Sequence, residues 1–268
     1  MRKILNLALL LIALAAASTA YAQERITAKF NDPSRPGLLK VDWHNGSIII
    51  KTHSTNDVTI DAKSGIVSRR EPPEASGLRR IDIGGRGLIV DSDANNVMTI
   101  NAPSSSFGGE IDIEVPARTN LNLQSHNGRT ISVDGVEGDI EATNHNGSVE
   151  ITNVSGSVVA HSMNGKVIVS FREIAAGKPM SFSSMNGSVD VTLPATAKAN
   201  LKMRTDNGDV YTGFDDQLKA ASPVNNQDQG GGRFRIEIDK TTTGSLNGGG
   251  AEIELRTRNG NIYLRKGK

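Results

Sequence analysis

Two histidines and two methionines recur at one place in a repeated sentence. Residues 139–165 read DIEATNHNG SVEITNVSG SVVAHSMNG, the same nine-residue pattern three times over. NLNLQSHNG (120–128) and PMSFSSMNG (179–187) follow it as well. Position seven of the successive Asn-Gly copies is His126, His145, Met163 and Met185. Imidazole beside thioether is a donor set for a soft metal such as Cu(I). The chemistry requires the copies to stack in register, so that these side chains form a row about 4.8 Å apart, the ordinary strand spacing. The bland alternative is a variable, solvent-facing turn position, because Asp206 and Arg258 stand there in other copies.

Other chemistry finds less support. Hydrolysis of a polysaccharide needs paired carboxylates held in a groove. The acidic residues Asp134, Glu137, Asp139, Glu141, Glu150, Asp190, Asp206 and Asp209 are scattered over outward strand positions and turns. Calcium-binding nonapeptides need Asp after a Gly-x-Gly element in each repeat. Here the turns read Asn-Gly-Ser, Ser-Gly-Ser or Asn-Gly-Lys. GGRG at 84–87 lacks the Lys of a phosphate loop. No Gly-x-Ser-x-Gly elbow occurs. No catalytic or cofactor-binding residue is assigned, and a non-enzymatic role is expected.

The elements that would carry the row follow from the same repeat. Nine copies can be aligned, from LLKVDWHNG (38–46) to EIELRTRNG (252–260). Positions two and four are apolar in all of them, as in Leu121/Leu123, Val149/Ile151 and Ile253/Leu255. Alternation of period two, closed by Gly, marks a strand with one buried face. Copies ending Asn-Gly alternate with copies ending Glu-Gly or Ser-Gly, whose position seven is Val136 or Val154. The full period is therefore 18–22 residues. A repeat of that length cannot bury its apolar face alone and must stack. The expected fold is all-β: an elongated β-solenoid or β-helix-like array with two strands per rung. Asn-Gly is also the strongest hairpin signal, so an antiparallel sandwich or meander is the alternative. Asn-Gly and Ser-Gly are expected at the turns for their tolerance of positive φ.

The ends and composition bound the setting. Met1-Arg2-Lys3, an apolar run from Ile4 to Ala17 and Ala20-Tyr21-Ala22 follow the order of a secretory signal peptide, cleaved after residue 22. The run is shorter than the roughly 20 residues of a spanning helix. The mature chain then holds 28 basic and 29 acidic residues, which is no footprint for nucleic acid. It has no Cys and only nine aromatic residues, with Trp43 the sole Trp. Within a single domain over 23–268, residues 23–113 read as irregular rungs with loops at 66–80 and 101–109. Residues 114–214 read as regular rungs, 215–233 as a loop insertion and 234–268 as capping strands.

LKVDWHNGSIII, DIEVPARTNLNLQSHNG and the ladder GDIEATNHNGSVEITNVSGSV resemble the bacterial putative-adhesin family. The resemblance implies an exported β-strand-repeat domain of the envelope and supplies no catalytic residues. The expected function is a non-enzymatic binding module in the periplasm or at the cell surface. It would contact an envelope protein or a glycan through its sheet faces, with no cofactor. A structural scaffold that associates with copies of itself is the alternative, and a polysaccharide-active enzyme stands behind both.

Overall fold

The computed structural model describes residues 25–66, 88–101, 107–214, 218–220, 225–228, 234–237 and 241–267. The leader expected at 1–22 lies outside the described residues, and of the loops expected at 66–80 and 101–109 so do 67–80 and 102–106, whereas Ile66, Asn101 and 107–109 belong to strands.

The N-terminal third folds into β1 (Arg25–Lys29), β2 (Gly37–His53), β3 (Asp57–Ile66), β4 (Ile89–Ser92), β5 (Val97–Asn101) and β6 (Phe107–Pro116). The clean repeats give β7 (Thr119–Asn127), β8 (Thr130–Asp134), β9 (Ile140–Asn144), β10 (Ser148–Gly156), β11 (Val158–Ser162) and β12 (Val167–Ile174). Next come β13 (Met180–Asn186), β14 (Val189–Leu193), β15 (Ala199–Asn207) and β16 (Val210–Thr212). The remainder is β17 (Leu218–Ala220), β18 (Asn225–Asp228), β19 (Phe234–Glu237), β20 (Thr241–Leu246), β21 (Ala251–Asn259) and β22 (Ile262–Lys266).

From β7 onward each rung is two strands joined at an Asn-Gly turn, β2 runs through its Asn-Gly as one strand, and like strands pair in parallel from rung to rung. The front run is β5, the first half of β2, β7, β9, β11, β13, β21 and β15. The back run is β6, the second half of β2, β8, β10, β12, β14, β22 and β16. This is the solenoid and not the hairpin meander, because β-hairpins would pair neighbours antiparallel.

Register follows the repeat. Leu121 pairs with Ile140, Ile140 with Val158, Met180 with Ile253, and Ile253 with Leu201. The back run continues this with Ile131, Val149, Val167, Val189 and Ile262 in one column. These side chains are buried and belong to one apolar cluster. Burying each such aliphatic residue contributes roughly 1.5–3 kcal/mol, which is what holds a cysteine-free array. Phe182 of the front run and Phe171 of the back run meet edge to face at 6.1 Å.

The rungs are not stacked in chain order. Rung β2, the first in the chain, lies between β5–β6 and β7–β8. Rung β21–β22, the last, lies between β13–β14 and β15–β16. Of the segment 234–268 expected to cap the array, β21–β22 is therefore the penultimate rung, while β20 does cap. Capping falls to antiparallel strands. β20 pairs with β15 and β17 with β20 at one end. At the other, β4 pairs with β5, β3 with β6, and β1 with β3. Residues 215–233, expected to be a loop, contain β17 and β18, the latter paired with β19 in a separate two-stranded ladder.

Two asparagines in the left-handed region latch these crossings. Asn96 (φ 67°) is buried, and its amide donates to the carbonyls of Asp32, Arg35 and Pro36. Asn247 (φ 48°) donates to the carbonyls of Ala195 and Ala197.

Candidate functional site

The turn after each front strand is built from three stacked rows. Position six points inward, and in the four rungs from β11 onward its hydroxyl donates to a glycine carbonyl of the adjoining rung. Ser162 reaches Gly147 at 2.9 Å, and Ser184 reaches Gly165, Thr257 reaches Gly187 and Thr205 reaches Gly260 at 2.8 Å. Position eight is an asparagine ladder. Asn146 donates to Asn127, Asn164 to Asn146, Asn186 to Asn164, Asn259 to Asn186 and Asn207 to Asn259, at 2.7–3.1 Å.

Position nine is glycine for two reasons: the expected positive φ holds at Gly46, Gly156 and Gly260, and at the other Asn-Gly turns the reason is a different one. Gly128, Gly147, Gly165, Gly187 and Gly208 are absent from the positive-φ residues. A Cβ on Gly147 would lie 2.2 Å from the Gly128 carbonyl oxygen, and one on Gly165 would lie 2.3 Å from that of Gly147. Close approach of one rung's backbone to the next excludes a side chain there.

Position seven stands outward beside these rows. In stacking order it is His44, His126, His145, Met163, Met185, Arg258 and Asp206. The structure thus places His126, His145, Met163 and Met185 in successive rungs. It brings the two imidazoles together, stacked at 5.1 Å between centroids with planes 15° apart. His145 Nδ1 is shielded from solvent and has no hydrogen-bond partner. Met185 is 40% exposed.

The row begins one rung earlier than the repeat spacing suggested. His44 lies against His126 at 4.7 Å between centroids. Asp42, two residues before His44 on the same outward side, joins them. Its Oδ1 is 3.8 Å from His44 Nδ1 and 3.6 Å from His126 Nε2. One ligand atom from each residue falls within 4.8 Å of the others. That carboxylate oxygen is shielded from solvent and accepts no hydrogen bond. The signal existed in LLKVDWHNG, but residues 47–119 separate it from NLNLQSHNG in the chain.

Further along the front face lies a shallow groove of about 540 Å³, lined by His161, Ser183, Met185, Asp206, Arg256 and Arg258 among others. His161 Nδ1 is 2.8 Å from Ser183 Oγ. Burial, with a smaller effect from nearby His145, pushes its pKa below the ordinary imidazole value. Trp43 is buried, with Nε1 donating to the Gly109 carbonyl, and offers no stacking platform.

Several scattered carboxylates meet cations or amides. Asp190 takes both arms of Arg265 at 2.8 Å, Glu137 meets Arg172 at 3.2 Å, and Asp206 meets Arg204 at 3.3 Å. Asp139 is held by Lys178 and Ser157. Burial raises its pKa, but these partners outweigh burial and leave it below the ordinary carboxylate value.

Two solved structures resemble the chain. One is described as a "putative cell adhesion protein" from Clostridium sporogenes. It is 10% identical with a TM-score of 0.45, covering 91% of this chain and 99% of that one. The other is described as a "putative adhesin" from Bacteroides fragilis. It is 15% identical with a TM-score of 0.31, covering 91% and 97%. No curated protein matches the sequence. The family model described as Toastrack DUF4097 matches residues 39–265, nearly the whole stack of rungs, and the chain belongs to that family.

Proposed function

We propose that the protein is an exported, non-enzymatic, adhesin-like binding module of the bacterial envelope. It contacts a protein or glycan through the open faces of its sheets. The observation that carries this reading is the contrast between edges and faces. Every outermost described strand is short: β4, β17, β1 and β16 run three to five residues. Short edges, three of them on antiparallel caps and the fourth the parallel strand β16, are how sheets avoid end-to-end joining. That disfavours a self-assembling scaffold and leaves the faces for recognition. The front groove offers guanidinium, carboxylate and hydroxyl groups beside an exposed thioether, a surface suited to a polar partner. Among the described residues, no helix is long and apolar enough to cross a membrane.

The test is co-sedimentation of residues 23–268 with intact cells, purified cell wall and outer-membrane vesicles, alongside sedimentation velocity over a wide concentration range. Saturable binding to one fraction by a monomer is expected, weakened by R256A/R258A. No binding, with particle size growing with concentration, would replace this reading with the scaffold.

A further inference from the structure

The geometry points to a divalent transition-metal site of the zinc class at the N-terminal end of the front row, with Asp42, His44 and His126 as ligands. This stands independently of the binding role proposed above.

Distance separates a metal site from an ion pair. A carboxylate bonded to a protonated imidazole closes to about 2.7–2.9 Å. Here Asp42 Oδ1 stands 3.6 and 3.8 Å from two imidazole nitrogens, too far to accept from either. Zinc bonds its nitrogen and oxygen ligands at about 2.0–2.2 Å, so tetrahedral donors lie about 3.3–3.5 Å from one another. The two separations are slightly wider than that, and small side-chain rotations close the set. The oxygen's burial without any hydrogen bond is the second observation. A buried acceptor left unmade costs free energy, and a shared cation supplies the missing bond.

The scaffold suits the task. His44 and His126 project from neighbouring strands in register, with Asn45 paired to Asn127 just beyond them. Asp42 stands on the same strand and side as His44. Two imidazoles and a carboxylate select a borderline cation such as Zn²⁺ or Cu²⁺. They do not suit Ca²⁺ or Mg²⁺, which take oxygen donors. Three protein ligands leave a fourth position open. All three side chains are nearly half exposed, so a cation can enter.

The experiment is calorimetric titration of ZnCl₂ into the metal-stripped mature chain, with melting curves for every variant. One saturable equivalent is expected. D42N and H126A should each weaken binding by at least about tenfold, the loss seen when even a supporting group is taken from a metal site. H161Q, further along the face, should bind as the native chain does. Excess Ca²⁺ should not compete. The site is overturned if no saturable equivalent appears, if D42N binds as tightly as native, or if H161Q abolishes binding. D42N and H126A should melt like the native chain without metal, which separates lost ligands from lost fold.

Discussion

At the scale of the residue, the turn glycines are the tightest points of the molecule. Gly165→Ala places a methyl group against the backbone of Gly147 and Ser148, with no flexible side-chain end to give way. Overpacking of this kind costs about 1–3 kcal/mol. A urea midpoint unchanged in Gly165→Ala would contradict the close-approach account. Gly177 is the contrast: a Cβ there meets nothing within 4 Å, though its φ of +75° still strains a side chain. His161 makes a second residue-scale prediction. Its folded pKa lies below that of an ordinary histidine, chiefly through burial and then through His145. The unfolded chain therefore binds the proton more readily, and stability rises with pH across that interval. The contribution is whole above about pH 6.5, the ordinary imidazole value, and is lost as pH falls through the depressed value. Melting temperature should drop between neutral pH and pH 5 in the native chain. His161→Gln should show a shallower drop, and equal slopes would refute the assignment.

At the scale of the element, the test is the two sides of one strand. Val149 is fully buried between Ile131 and Val167, while Glu150 is its outward neighbour. Val149→Asp should cost about 3–5 kcal/mol, as an uncompensated buried charge does. Glu150→Ala should stay within about 0.5 kcal/mol. Chemical denaturation of the pair decides the register, since equal effects would mean it is wrong. The strands were legible because period-two alternation at positions two and four survives every change of residue. Stacking was legible because position seven keeps its character over the full period. The glycine role was legible only in part: φ is positive as expected at Gly46, Gly156 and Gly260, but sequence does not show that crowding alone requires glycine at Gly147 and Gly165. The Asp42–His44–His126 cluster was not legible. Its members sit in copies separated by the detour through β3 to β6, and spacing says nothing about where a detour returns.

At the scale of the whole molecule, the order of rungs governs stability. All copies present similar apolar residues inward, so the repeat does not dictate which copy neighbours which. Crossing loops and their asparagine latches do that, and their contacts run between distant parts of the chain. A C-terminal strand at an array's end would fray. β21 is paired along both edges, with β13 and with β15. Its amides should exchange with deuterium as slowly as those of β9, and those of the three-residue edge strand β16 far faster. Rapid exchange throughout 251–266 would refute the inserted rung.

That inserted rung also sets a sequence of events. Until residues 251–266 arrive, β13–β14 and β15–β16 face each other across an open seam with unpaired backbone on both lips. The array is then a zipper whose slider follows both lips in the chain. Any delay between making β15–β16 and supplying β21–β22 leaves a parallel, strand-shaped vacancy, and the same segment of another copy has the right register to fill it.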